Sequence, residues 1–122
     1  MANNIEKLLE ALNQVVGIKG SMLVTQDGMV VLSRLGTETP TELVAAVASS
    51  TIKNMKHAIV RLGADSFSQL VITASFGRMV FVDVEMAFLV AVTEPSLNLD
   101  QTLIEVRGVA QRLKSAGLLR VD

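Results

Sequence analysis

Cysteine, tyrosine and tryptophan are absent from the 122 residues, and histidine occurs once. Without cysteine there is no disulfide, no thiol nucleophile and no cysteine-ligated metal. A lone His57 excludes the zinc motifs that need two histidines. A hydrolytic triad would have to bring a serine and an acid to His57, and no nucleophile elbow is present. Neither G-x-x-x-x-G-K-[ST] nor G-x-G-x-x-G occurs, so the chain is not expected to bind a nucleotide as a P-loop or dinucleotide-binding protein. No cofactor is implied. Charge is also sparse, at 19% of residues with a net of −1. That gives no general attraction to nucleic acid or to an anionic membrane. The longest purely apolar run, Met86 to Val92, has seven residues. A membrane span needs ~20, so no insertion is expected. The run fits a strand buried on both faces in the middle of a sheet. The opening M-A-N-N-I-E-K reads as neither a secretory nor a myristoylation signal, and a cytoplasmic protein is the expectation.

What is present is apolar. Half the residues are hydrophobic and the mean hydropathy is +0.47. That is high for a soluble monomer and points to buried interface. The length suits one domain with one core, taken as residues 1–122.

Asn3 to Val16 reads as a helix. Ile5, Leu8, Leu9, Leu12 and Val16 form its apolar stripe, Lys7, Glu10 and Asn13 its wet side, Asn3 its cap and Gly17 its stop. Ser21–Gln26 and Met29–Arg34 are β-prone runs around Asp27-Gly28, the signature of a hairpin with a type I′ turn. Three strands follow the middle of the chain: Phe67–Ala74, Arg78–Val84 and Ala87–Thr93. Ser75-Phe76-Gly77 and Glu85-Met86 are the turns between them. Connections this short force an antiparallel meander. Leu99 to Ser115 is the last helix, capped by Asn98 and ended by Gly117, with Gly108 expected where its backbone meets another element.

The middle of the chain, Thr39 to Gly63, reads as one long helix. Thr39 is the expected cap, Pro40 the first helical residue, Glu42 the capping-box partner and Gly63 the stop. Val44 to Ala48 are consecutive and apolar, so this half is apolar all round and asks for cover on two sides. Ala45, Ala48, Ser49 and Ile52 form a small-residue patch suited to a second helix. The fold class is therefore α+β, an α/β sandwich. Its order is helix-strand-strand-helix-strand-strand-strand-helix. Two helices cover one face of a five-stranded antiparallel sheet and the long helix covers the other.

Gly17-Ile18-Lys19-Gly20-Ser21, Leu23-Val24 and Asp27-Gly28-Met29-Val30-Val31, with the Ala/Ser-rich middle helix and the Asn98-Leu99 helix start, resemble the Roadblock family. This family includes Roadblock-type dynein light chains and bacterial gliding-motility regulators. The resemblance implies the fold just derived. It implies homodimers or heterodimers in which the strand after the middle helix pairs with its mate and the two middle helices lie side by side. It also implies binding or regulation of a small Ras-like GTPase, or service as an adaptor subunit, without enzymatic activity of its own. Mapped here, the pairing strand is Phe67–Ala74, with Leu70 and Ile72, and the paired helix is Pro40–Leu62, with Met55 in an adaptable position.

Lys53, His57 and Arg61 recur every four residues and, with Lys56, make a basic stripe. One reading is a solvated helix face near the negative C-terminal end. The other is a docking stripe for an acidic or nucleotide-bearing partner. Arg61 and Arg34 are the residues that an arginine finger would use. Asp83 and Glu85 flank a tight turn and are read as ordinary exposed carboxylates. Three functions stay open: a homodimeric regulator or scaffold of a small Ras-like GTPase, a structural light-chain adaptor with no effect on GTP turnover, and a small-ligand sensor built on a similar sheet, against which the lack of tyrosine, tryptophan and convergent polar groups counts.

Overall fold

The computed structural model describes residues 3–36, 40–96 and 98–115. In chain order the elements are α1 (Asn3–Asn13), β1 (Ile18–Thr25), β2 (Val30–Leu35), α2 (Thr41–Val60), β3 (Gln69–Ala74), β4 (Gly77–Asp83), β5 (Ala87–Thr93) and α3 (Leu99–Ser115). The strands form one antiparallel sheet in the order β2-β1-β5-β4-β3. The apolar run becomes β5, at the centre and buried along its whole length. The sandwich expected from the sequence is the observed fold.

Two cores lie on opposite faces. Against α1 and α3, the sheet presents Leu23, Val80, Val82, Leu89 and Ala91 to Leu9, Leu12, Val106 and Leu113. Against α2, it presents Met22, Val24, Phe81, Phe88 and Val90 to Ala48 and Ile52. The alternation of neighbours along each strand produces this division, since successive side chains point to opposite faces.

Several local readings change. α1 stops at Asn13, three residues early, and Val16 is 86% exposed. The Asn13 amide explains the stop. Its Nδ2 donates to the Arg34 carbonyl at 2.8 Å and its Oδ1 accepts from Ser21 Oγ at 2.8 Å, which ties the helix end to the sheet. Val15 enters the core in place of Val16. The Asp27-Gly28 hairpin is present, but its turn is not type I′. Gly28 has φ +94°, while Glu85 is the only non-glycine residue with positive φ among the described residues. Gly28 N–H bonds to Thr25 O at 2.9 Å and Thr25 N–H to Met29 O at 2.7 Å. These bonds describe a type I turn closed by a glycine bulge, whose twist also matches the strands.

α2 begins one residue later than expected. Pro40 is its extended N-cap residue, without a side-chain cap bond, and Val44 N–H bonds to Pro40 O at 3.0 Å. Its end is as read. Ala64 N–H reaches back to Ile59 O and Gly63 N–H to Val60 O, the paired bonds of a Schellman close. Asn98 caps α3 through a 3.0 Å bond from Gln101 N–H. The expected caps and stops Thr39, Gly117 and the Asn3 side chain lie outside the described residues. Gly108 does not meet another element, because a β-carbon there would have no atom within 4 Å.

Candidate functional site

α2 packs across one face of the sheet, and its second half meets the tip of the β1–β2 hairpin. Lys53, Lys56, His57 and Val60 face Gln26 and Asp27 across a shallow depression of about 480 Å³. The approach is close. Ser49 Oγ donates to Gly28 O, and a β-carbon on Gly28 would stand 2.9 Å from Lys53 Cε. The Thr25 hydroxyl donates to the Asp27 carboxylate and accepts from Met29 N–H at 2.9 Å. This hydroxyl bond is the main reason the Asp27 carboxyl ionises below its usual range, and the charges of Lys53 and Lys56 add to it.

The basic stripe therefore has a carboxylate beside it, which its spacing did not reveal. Lys53, His57 and Arg61 are exposed, as a docking stripe requires. Lys56 is half-buried, with Nζ 5.9 Å from the centre of the Phe88 ring, itself stacked on Phe67 at 4.8 Å. It covers the core as much as it faces solvent. Arg34 is no free finger. It pairs with Glu6 at 2.6 Å and with Glu10 at 3.9 Å, tying β2 to α1. Asp83 accepts from Glu85 N–H at 2.6 Å and from Gln26 Nε2 at 3.3 Å, so it brackets the β4–β5 turn. No group of three or more metal-ligating side chains exists among the described residues.

The residues expected at a dimer seam divide differently. Ala48 and Ile52 have 0% exposure and fill the chain's own core, so they offer no surface to a second copy. Ser49 serves the close approach of the hairpin. Ala45 and Met55 are half-buried on α2, as are Leu70 and Ile72 on the α2 side of edge strand β3. The small-residue patch is thus largely an intrachain contact. Outward on α2 stands a different stripe. Leu43 is 62% exposed and Val47 41%, and the same flank continues at Thr51, Ala58 and Leu62. None of these residues is charged, although the helix is. Leu43 and Val47 also border an apolar trough of about 320 Å³ with Phe76, Met79 and Val92, and Lys19 stands at its rim. Steps of four and seven residues from Leu43 through Val47, Thr51, Ala58 and Leu62, all of them uncharged, were the sequence signal for this flank.

The pattern of the Roadblock/LC7 domain matches residues 4–93, and the chain belongs to this family. The uncharacterized proteins MJ1340 and MJ0310 of Methanocaldococcus jannaschii are each 32% identical over 111 residues, covering 91% of this chain and 97% of theirs. Among solved structures, the gliding protein MglB of Thermus thermophilus superposes with a TM-score of 0.79 at 16% identity, covering 93% of this chain and 88% of that one. An MglB described with a tetrameric arrangement gives 0.79 at 18% identity over the same shares, 93% and 88%. The Roadblock/LC7 domain of Streptomyces avermitilis gives 0.75 at 16%, covering 90% and 94%. These structural likenesses are likenesses of fold. No described helix is long and apolar enough to cross a membrane.

Proposed function

We propose that this chain is a single Roadblock-type domain, residues 1–122, that acts in the cytoplasm as a homodimeric regulator or scaffold of a small Ras-like GTPase. The observation that carries the dimer is the uncharged, exposed flank of α2 beside the unpaired edge of β3. Both features are left unsatisfied by one copy, and a two-fold pairing of β3 with β3 and α2 with α2 covers both. Leu43, Val47, Thr51, Ala58 and Leu62 then form the seam on the helix, with Leu70 and Ile72 beneath it. Ala45 and Met55 lie at its margin.

Family membership supports the GTPase as partner, and Lys53, His57 and Arg61 are the docking residues, with Lys56 at their edge. Regulation works by ordering the GTPase's own catalytic loops. Arg34 is held by two carboxylates, and Arg61 sits on the rigid end of α2. Neither suits a finger that must reach into a phosphate site. No cofactor, metal, nucleic acid or chemistry of its own is required.

Mixing the purified protein with a small Ras-like GTPase from the same cell and measuring GTP turnover tests this reading. Faster hydrolysis supports the regulator. Binding without a change in turnover assigns the light-chain adaptor instead. Absence of binding in both the GDP and GTP states would remove the GTPase reading altogether.

A further inference from the structure

The opposite face of the molecule carries a second unpartnered surface. Between α1 and α3 runs an open groove of about 430 Å³, lined in part by Ala11, Ile104, Glu105, Gly108 and Arg112. Ile104 is 63% exposed. Gly108 stands in mid-helix, where glycine is less favourable than alanine. Nothing within the chain requires it, since a β-carbon there would meet open space. The charges beside it are arranged about it. Glu105 and Arg112 flank Gly108 on the same side of α3, two helical turns apart. Neither has an ion-pair partner within 4 Å among the described residues, where both ion pairs belong to Arg34.

This arrangement is its own complement. If α3 of one copy crosses α3 of another in antiparallel sense with the two-fold axis at Gly108, Glu105 of each faces Arg112 of the other. Ile104 is covered, and the missing side chain lets the backbones approach. A parallel crossing, or a partner of single charge sign, leaves like charges opposed or one charge unmatched. We propose that the α1–α3 groove is a second self-association surface, in which two copies of this chain pair through α3 about Gly108. The surface lies across the sheet from the α2 seam and does not depend on it. Together the two make assemblies larger than a dimer.

Light scattering and sedimentation equilibrium at micromolar concentration test the proposal on four proteins. Wild type gives the full mass. Glu105→Arg halves it by setting arginine against arginine, and Arg112→Glu halves it by setting two acids together. The double variant Glu105→Arg/Arg112→Glu restores the full mass, because a two-fold contact tolerates exchange of its charges. Gly108→Leu separates assembly from folding. It halves the mass while the chain stays folded by circular dichroism, since a β-carbon at this position meets open space and leucine is the better helix former. A mass unchanged by both single charge reversals and by Gly108→Leu overturns the proposal. So does a double variant that stays at half mass while folded by circular dichroism. Loss of the α2 seam, by contrast, leaves the effect of these variants intact.

Discussion

A β-carbon on Gly77 would stand 1.8 Å from the Thr93 carbonyl oxygen, and the residue's φ is +140°. Gly77 opens β4 directly after the Ser75-Phe76 turn and pairs with Ala74, so the chain has no slack with which to move away. The sequence marks the turn, since Ser-Phe-Gly interrupts two β-prone runs. It does not mark the obstacle, which is backbone from β5, a strand that begins ten residues later. Gly77→Ala is expected to cost at least about 2 kcal/mol, from the backbone conformation and the overlap together. Urea denaturation checks this, and an unshifted midpoint would show that the turn can rearrange freely.

At the scale of the element, the hairpin and the long helix show what a pattern does and does not encode. Asp27-Gly28 located the turn. The type of turn depends on Thr25, whose hydroxyl bridges Asp27 and Met29 N–H, and no dipeptide rule includes that residue. The bond has a pH signature. The Asp27 pKa is lowered in the folded state, so its contribution is present above the unfolded carboxylate value and is lost as pH falls through the folded one. Thr25→Val removes the largest cause, and the Asp27 carboxyl should titrate at higher pH, nearer its ordinary value. Carbon-detected NMR titration measures it; an unmoved pKa would assign the shift to the backbone hydrogen bond at Asp27 and the charges of Lys53 and Lys56. For α2, periodicity gave the existence, the length and the end, because caps and glycines are local. It did not give the face. A helix apolar on nearly every side has no preferred orientation in its own sequence, and only the sheet chooses Ala48 and Ile52 over Leu43 and Val47. By contrast β5 was fully legible, since a strand buried on both faces leaves no face to choose.

For the whole molecule, the choice of face decides which substitutions break the fold and which break the assembly. Ile52 is fully buried among Met22, Phe81 and Phe88, whereas Val47 is 41% exposed on the uncharged flank. The two are five residues apart on one helix, and aspartate at each position asks a different question. Ile52→Asp puts an unpaired carboxylate into an apolar core and should unfold the chain or cost several kcal/mol. Val47→Asp leaves its carboxylate in water on a single copy, so the isolated domain stays folded. In the α2 seam the same carboxylate would face its own symmetry mate across an apolar contact, where like charge and desolvation both oppose pairing. Circular dichroism should therefore find Val47→Asp folded with a near wild-type midpoint, while sedimentation finds it at half the wild-type mass. A folded Val47→Asp of unchanged mass would reject the seam on this flank of α2, and would turn attention to the β3 edge as the sole contact of the pair.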